Sequence, residues 1–350
     1  MTHAAFVIPG DIKLATGGYG YDRRLLALLP QAGVAVRHVA LTGGYPSPAV
    51  DDLASADRAL IELPRNTVLL IDGLAFGAMP ADMIRRIRQP IVALCHHPLA
   101  LEAGLSTAQQ AHFRATETAA LALARHVVAT SPITKQILVA AFAVPAVKVT
   151  VAEPGTDPAA RAAGSRGMGP LHMLAVGSIV PRKGYDVLVH ALAELMHLDW
   201  RLTIAGSDDR SLETTRAVKA AIAAAGLDDR IRMIGAVDAA RLDTLYAAAD
   251  LFVMPSLFEG YGMVLGEAMA RGLPIVCTTG GAAAETAPDA VAIKVAPGDA
   301  AAFRAAVARA LGDAGLRRRM SDAAWAARET LPRWSETARI IAGVLNKVSA

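Results

Sequence analysis

Short, fully apolar runs alternate with longer stretches of helical spacing from one end of the chain to the other. In the first half, Ala5–Ile8, Ala35–Ala40, Val68–Ile71, Ile91–Cys95, His126–Ala129 and Val149–Ala152 predict strands. Helical patterns lie between them, as at Tyr21–Leu29, Pro80–Ile87 and Thr107–Leu123. Strands that are apolar on both faces and separated by helices indicate a parallel sheet covered on both sides. Gly155 to Pro170 is rich in Gly, Ala and Pro, has little apolar periodicity, and reads as a linker. The alternation then restarts with Leu171–Val176, Arg201–Ala205, Ile231–Ile234, Leu251–Met254, Ile275–Cys277 and Ala292–Val295. Helices are expected at Asp186–Met196, Ser211–Ala225, Arg241–Ala248, Met263–Arg271 and finally around Pro332–Leu345. The expected fold class is therefore α/β, with two doubly wound units and a cleft between them. Ligands in such sheets sit beyond the carboxyl ends of the strands.

With 350 residues the chain exceeds what one core usually serves. A content of 53% apolar and 19% charged residues excludes disorder. The net charge of +3, without a dense Lys/Arg run, argues against nucleic acid as the main partner. Two cysteines, Cys95 and Cys277, stand far apart in apolar runs, which excludes a disulfide scaffold and fits a reducing cytoplasm. The opening Met1–Pro9 lacks the pattern of a signal peptide, and no apolar run reaches the roughly 20 residues of a membrane span.

The segment Leu251–Pro274 carries the most chemistry. A strand ends near Met254, a loop bears Glu259, and a helix begins near Gly262. Free amides of Gly262, Met263 and Val264, together with the positive end of the helix dipole, favour a phosphate group there. Two carboxylates beside a phosphate would repel it unless they accept hydrogen bonds from hydroxyls, as sugars offer. Glu259 is thus a candidate for a sugar and Glu267 for a ribose diol. Upstream, Leu174–Asp186 places Arg182 and Lys183 in a loop between strand and helix, a suitable clamp for a diphosphate.

These words resemble the two-glutamate signature of retaining family 4 glycosyltransferases of the GT-B fold. The resemblance covers nearly the whole chain, most specifically from Leu174 to Pro274. It implies two Rossmann-like domains facing each other across a cleft: an acceptor-side domain over 1–155, a linker over 156–170, a donor domain over 171–330, and a helix over 331–350 returning to the first. It also implies that Glu259 contacts donor-sugar hydroxyls, that Glu267 binds ribose, and that the amides of Gly262, Met263 and Val264 meet the diphosphate. Lys183-Gly184 matches the family's Lys-Gly. Ser178 stands where many members carry arginine, so Arg182 is expected to supply that cation.

Four weaker words extend the resemblance. Ile231–Val237, with Gly235 and Val237, resembles a turn that holds the nucleobase through backbone atoms. Gly206 ends a strand where the nucleotide would approach the backbone. Gly17 and Gly18 resemble the glycine loop whose amides reach donor phosphates, and their spacing is not that of a dinucleotide fingerprint. His96 ends a buried strand near the expected sugar position, with His97 as its alternate. No metal site and no cofactor are expected beyond the nucleotide sugar itself. The expected activity is transfer of a hexose-type sugar from a UDP- or GDP-linked donor to an unknown glycan, lipid-linked or small-molecule acceptor, with retention and without metal. A nucleotide-sugar epimerase, a glycosyl phosphorylase, or a non-catalytic nucleotide-sugar binding protein are the alternatives.

Overall fold

The computed structural model describes residues 2–349. The chain divides into one unit of Met1–Gly155 with Pro332–Ala350, and a second of Thr156–Leu331.

In the first unit the strands are β1 (Thr2–Pro9), β2 (Val34–Leu41), β3 (Thr67–Asp72), β4 (Ile91–Cys95), β5 (His126–Ala129) and β6 (Val149–Val151). They form one sheet of order β2-β1-β3-β4-β5-β6, parallel at every pairing. Every residue of β3, β4 and β5 is buried, as unbroken apolar runs require of central strands. Local signals start the helices. Thr16 caps Gly17–Leu28, Ser106 and Gln109 form a capping box at Thr107–Leu123, and Ser131 with Pro132 at the first turn starts Pro132–Ala141.

The closing helix Trp334–Ser349 packs within this unit. Trp334 meets Tyr21 edge-on at 5.6 Å, and the Thr337 hydroxyl donates to the Glu153 carbonyl at 2.7 Å. Gly155 lies so close to the Trp334 backbone that no side chain fits there.

The second unit contains β7 (Leu171–Val176), β8 (Trp200–Ala205), β9 (Ile231–Met233), β10 (Leu251–Met254), β11 (Ile275–Thr278) and β12 (Ala292–Val295). Their order is β12-β11-β10-β7-β8-β9, again all parallel. One apolar cluster, around Leu188, Trp200 and Phe303, covers one face of the sheet; another, around Tyr246, Phe252 and Leu265, covers the other. The strand order reverses between β1 and β3 in the first unit and between β7 and β10 in the second. Those reversals open the crevices in which doubly wound sheets bind ligands.

The stretch read as a linker is attached to the second unit. The Ala162 and Ala163 amides donate to Arg271 and Ala247 carbonyls, each at 2.9 Å, and Asp250 accepts from the Ser165 amide at 2.9 Å. Arg161 pairs with Asp322. Backbone bonds to one Asp carboxylate and two helix ends hold a segment that has no apolar periodicity of its own.

Candidate functional site

At the β7/β10 reversal two loops interlock. Past β7, Gly177 takes φ +152°, and the Lys183 stem and Tyr185 hydroxyl occupy the space a side chain would need. That hydroxyl donates to the Gly177 carbonyl at 2.9 Å. A single turn, Pro181–Lys183, carries both cations, and Gly184 at φ +62° starts the helix Tyr185–Ala193. Gly184 must be glycine twice over, because a Cβ would also strike the Pro255 carbonyl just beyond β10. The Leu257 amide then donates to the Arg182 carbonyl at 2.7 Å, tying the loops together.

This seam brings Arg182, Lys183 and Glu259 into one cluster. Lys183 Nζ lies 2.7 Å from Glu259 Oε1, and Arg182 Nη1 lies 3.2 Å from Oε2 and 2.8 Å from the Phe258 carbonyl. Glu259 is only 6% exposed. Burial favours its neutral form, but Lys183 and Arg182 outweigh that and hold the carboxyl down at about 2. Its backbone is locked as well: the Glu259 amide donates to Gly280 O at 3.1 Å and the Ala282 amide to Glu259 O at 2.8 Å.

Three residues on, Gly262 at φ +88° turns the chain into the helix Met263–Ala270, whose first residues Met263 and Val264 are half-buried. Gly262 has no side chain to cap those amides. Glu267 sits one turn further, where Tyr246 donates to its Oε2 at 2.8 Å and Arg271 lies over the Tyr246 ring at 4.5 Å. Burial raises the Glu267 carboxyl despite those two partners.

Gly206 has a structural duty that sequence alone does not show. A Cβ there would fall on the Gly177 carbonyl, and the Gly206 amide donates to Gly235 O at 2.9 Å. Gly235 itself takes φ +70°, and Val237 is half-buried just before the helix Ala239–Ala248. These three therefore line the ends of β8 and β9, on the far side of β7 from Glu259.

In the first unit, His96 follows β4. Gly18, in the first turn of Gly17–Leu28, lies against its ring: a Cβ on Gly18 would be 3.6 Å from His96 Cδ2. Gly17 is exposed beside it. His96 Nε2 lies 3.0 Å from Asp22 Oδ1 and 3.6 Å from Asp72 Oδ2. Burial lowers the affinity of its ring for a proton, and Asp72 partly offsets that. His97 faces Glu102 instead, at 3.6 Å. Among the described residues, Asp22, Asp72 and His96 are the one trio with ligand atoms within 4.8 Å of one another.

Residues 157–326 match the family described as glycosyl transferases group 1, and residues 34–160 match Glycosyltransferase Family 4. The chain belongs to these glycosyltransferases. A D-inositol 3-phosphate glycosyltransferase of Corynebacterium efficiens is 32% identical over 190 residues, 49% of this chain and 45% of that protein. A mannosylfructose-phosphate synthase of Agrobacterium fabrum is 36% identical over 115 residues, 31% of this chain and 25% of that one. The matches thus span less than half the length of these curated relatives.

Among solved structures, a sucrose-phosphate synthase from Thermosynechococcus elongatus superposes with a TM-score of 0.82 at 21% identity, covering 98% of each chain. Anabaena HepE in complex with UDP-glucose gives 0.78 at 17% identity, covering 99% of this chain and 100% of that one. The fold is that of the GT-B glycosyltransferases, as the resemblance implied. No helix among the described residues is long and apolar enough to cross a membrane.

Sequence reading missed Asp22, Asp72, Tyr185, Tyr246 and Gly281. Only Gly281, in the Gly280-Gly281 pair after β11, left a local signal; a Cβ on it would meet the Glu259 carbonyl. The other four are ordinary helix or strand-end residues whose roles arise from distant partners.

Proposed function

We propose that the chain transfers a hexose-type sugar from a UDP- or GDP-linked donor to an acceptor hydroxyl, with retention and without a bound metal. The observation that supports this is the cluster of Arg182, Lys183 and Glu259 at the β7/β10 reversal, one turn from the uncapped helix start at Gly262. Two cations and a set of free amides suit a diphosphate, and a carboxylate kept ionised suits the hydroxyls of a sugar. The family's relatives include proteins named for glycosyl transfer, and HepE was solved with UDP-glucose.

In this reading the glycosidic carbon–oxygen bond to the diphosphate breaks as the acceptor oxygen bonds to the same carbon from the same face. The departing phosphate oxygen takes the acceptor proton, so no protein nucleophile is needed. Arg182, Lys183 and the amides of Met263 and Val264 stabilise the charge that develops on the leaving group. They neutralise it in place of a metal ion. Glu259 holds sugar hydroxyls, Glu267 the ribose diol, and the backbone around Gly206, Gly235 and Val237 the base. In the first unit, which takes the acceptor side, His96 is the group for a sugar hydroxyl and the amides of Gly17 and Gly18 those for a phosphate.

The test is a thermal-shift panel with UDP, GDP and ADP, each with and without magnesium, followed by product analysis with the nucleotide sugar of the nucleotide that binds. A ligand at 100 times its dissociation constant adds about 2.7 kcal/mol to the folded state. One nucleotide raising the melting temperature equally without magnesium is the expected result. A shift that appears only with magnesium removes metal independence. Turnover of the nucleotide sugar without any acceptor would favour an epimerase.

A further inference from the structure

The trio in the first unit draws its members from three elements. Asp22 comes from the helix Gly17–Leu28, Asp72 from the last position of β3, and His96 from the loop after β4. Asp22 is fully buried and Asp72 is 3% exposed. Asp72 caps the turn Gly73–Phe76 through the Leu74 amide at 2.6 Å. Asp22 Oδ1 meets His96 Nε2, whereas Asp22 Oδ2 is buried and has no donor. One carboxyl oxygen of each aspartate and a ring nitrogen of His96 all lie within 4.8 Å of one another.

Two adjacent buried carboxylates cannot both ionise without strong repulsion. The neighbours relieve it only in part, because burial outweighs the pull of Arg23 on Asp22 and of His96 on Asp72. Tyr21 and Cys95, both buried, are driven further toward their neutral forms. Glu117 adds no positive charge, and Arg23 on the same helix is engaged with the carbonyls of Ile12 and Leu14. A single proton shared by the pair satisfies the orphaned Oδ2 and removes one charge.

We propose that Asp22 and Asp72 share a proton and act as positioning residues, holding His96 through Nε2 so that the neutral ring carries its proton there and presents Nδ1 as an acceptor. Tyr21, edge-on at 5.0 Å and 82°, and Gly18 confine the remaining faces of the ring. Burial raises both carboxyls, so the pair keeps its proton at neutral pH. As pH rises past that range the second charge forces the carboxyls apart and frees the ring. The role in catalysis rests on the transferase reading above; the protonation of the ring does not.

Long-range 1H–15N correlation of the histidine-labelled full chain reads the tautomer without reference to activity. His96, assigned by its loss in H96A, is expected as the Nε2–H form in the wild type, and as a tautomer mixture in D22A, which removes the acceptor that asparagine would keep. In turnover, D22A and D72A are expected to lower kcat at least about tenfold with donor KM within about twofold, and to lose the alkaline limb of the kcat profile. A nucleotide thermal shift equal to wild type shows that each variant is folded; where D22A fails it, D72A carries the test. An Nδ1–H wild-type ring overturns the proposal. So does a melting-temperature rise with zinc or manganese that D22A abolishes, since the trio would then be metal ligands. A wild-type chain that moves no sugar but shows the Nε2–H ring overturns the transferase reading and leaves the pair standing.

Discussion

Replacing Glu259 by glutamine separates what this carboxylate does for the fold from what it does for the donor. In the free protein it is the counter-ion of Lys183 and Arg182, at 2.7 and 3.2 Å. Its carboxyl falls from the ordinary 4.5 to about 2, net of a burial cost in the opposite direction. At 1.36 kcal/mol per unit, that depression corresponds to about 3 kcal/mol of stability. Because the folded value is the lower one, the contribution is complete above the ordinary carboxylate range and is lost as pH falls through about 4.5 toward about 2. Glutamine keeps the shape and removes the charge, leaving two cations facing each other. For a unit of this size the melting temperature should fall by about 6–12 °C at neutral pH. Those cations are then free for a diphosphate, so the shift produced by UDP or GDP should be at least as large as in the wild type. Sugar transfer should drop at least about a hundredfold, the usual cost of removing one fixed polar contact to the reacting group. The assays are differential scanning fluorimetry with and without nucleotide, and product formation from the nucleotide sugar. An unliganded variant that melts within about 2 °C of wild type would refute the ion-pair reasoning. A variant that turns over at the wild-type rate would remove Glu259 from the sugar site.

Gly206→Ala should destabilise the second unit by about 3 kcal/mol or more, because the new methyl falls on the Gly177 carbonyl; chemical denaturation that shows no loss would contradict the close approach. Gly262→Ala should cost about 1–2 kcal/mol through its φ of +88° and weaken nucleotide binding with it, read by melting temperature and titration calorimetry. Glu267→Gln should behave in the opposite sense to Glu259→Gln. Its carboxyl is raised by burial, so ionisation costs the folded state stability as pH rises, and the variant should melt no lower than wild type at neutral pH. Nucleotide affinity should nonetheless fall about ten- to a hundredfold if Glu267 bonds the ribose diol, and an unchanged affinity would dismiss that role.

The second unit's site was legible because its members cluster in sequence. Glu259, Gly262 and Glu267 fall within one strand–loop–helix word, and Arg182 with Lys183 within another. Each word is a local instruction: a glycine where φ must be positive, an uncapped helix start, cations in a tight turn. The trio around His96 was not legible. Asp22, Asp72 and His96 are separated by tens of residues, and an aspartate within a helix or at a strand end looks like a solvated one until its burial is known. The packing duty of Gly206 was not legible either, since nothing local says that the Gly177 carbonyl beyond the neighbouring β7 lies against it.

The sequence by itself determined the twelve strands, their parallel arrangement in two α/β units and the glutamate and cation words, because apolar periodicity and turn chemistry act over a few residues. Only the tertiary structure decided which strands are neighbours, that the 156–170 stretch bonds to the second unit, and that two carboxyls meet one histidine. Those outcomes depend on distances between segments far apart in the chain, and a buried charge acquires its character from partners that only folding supplies.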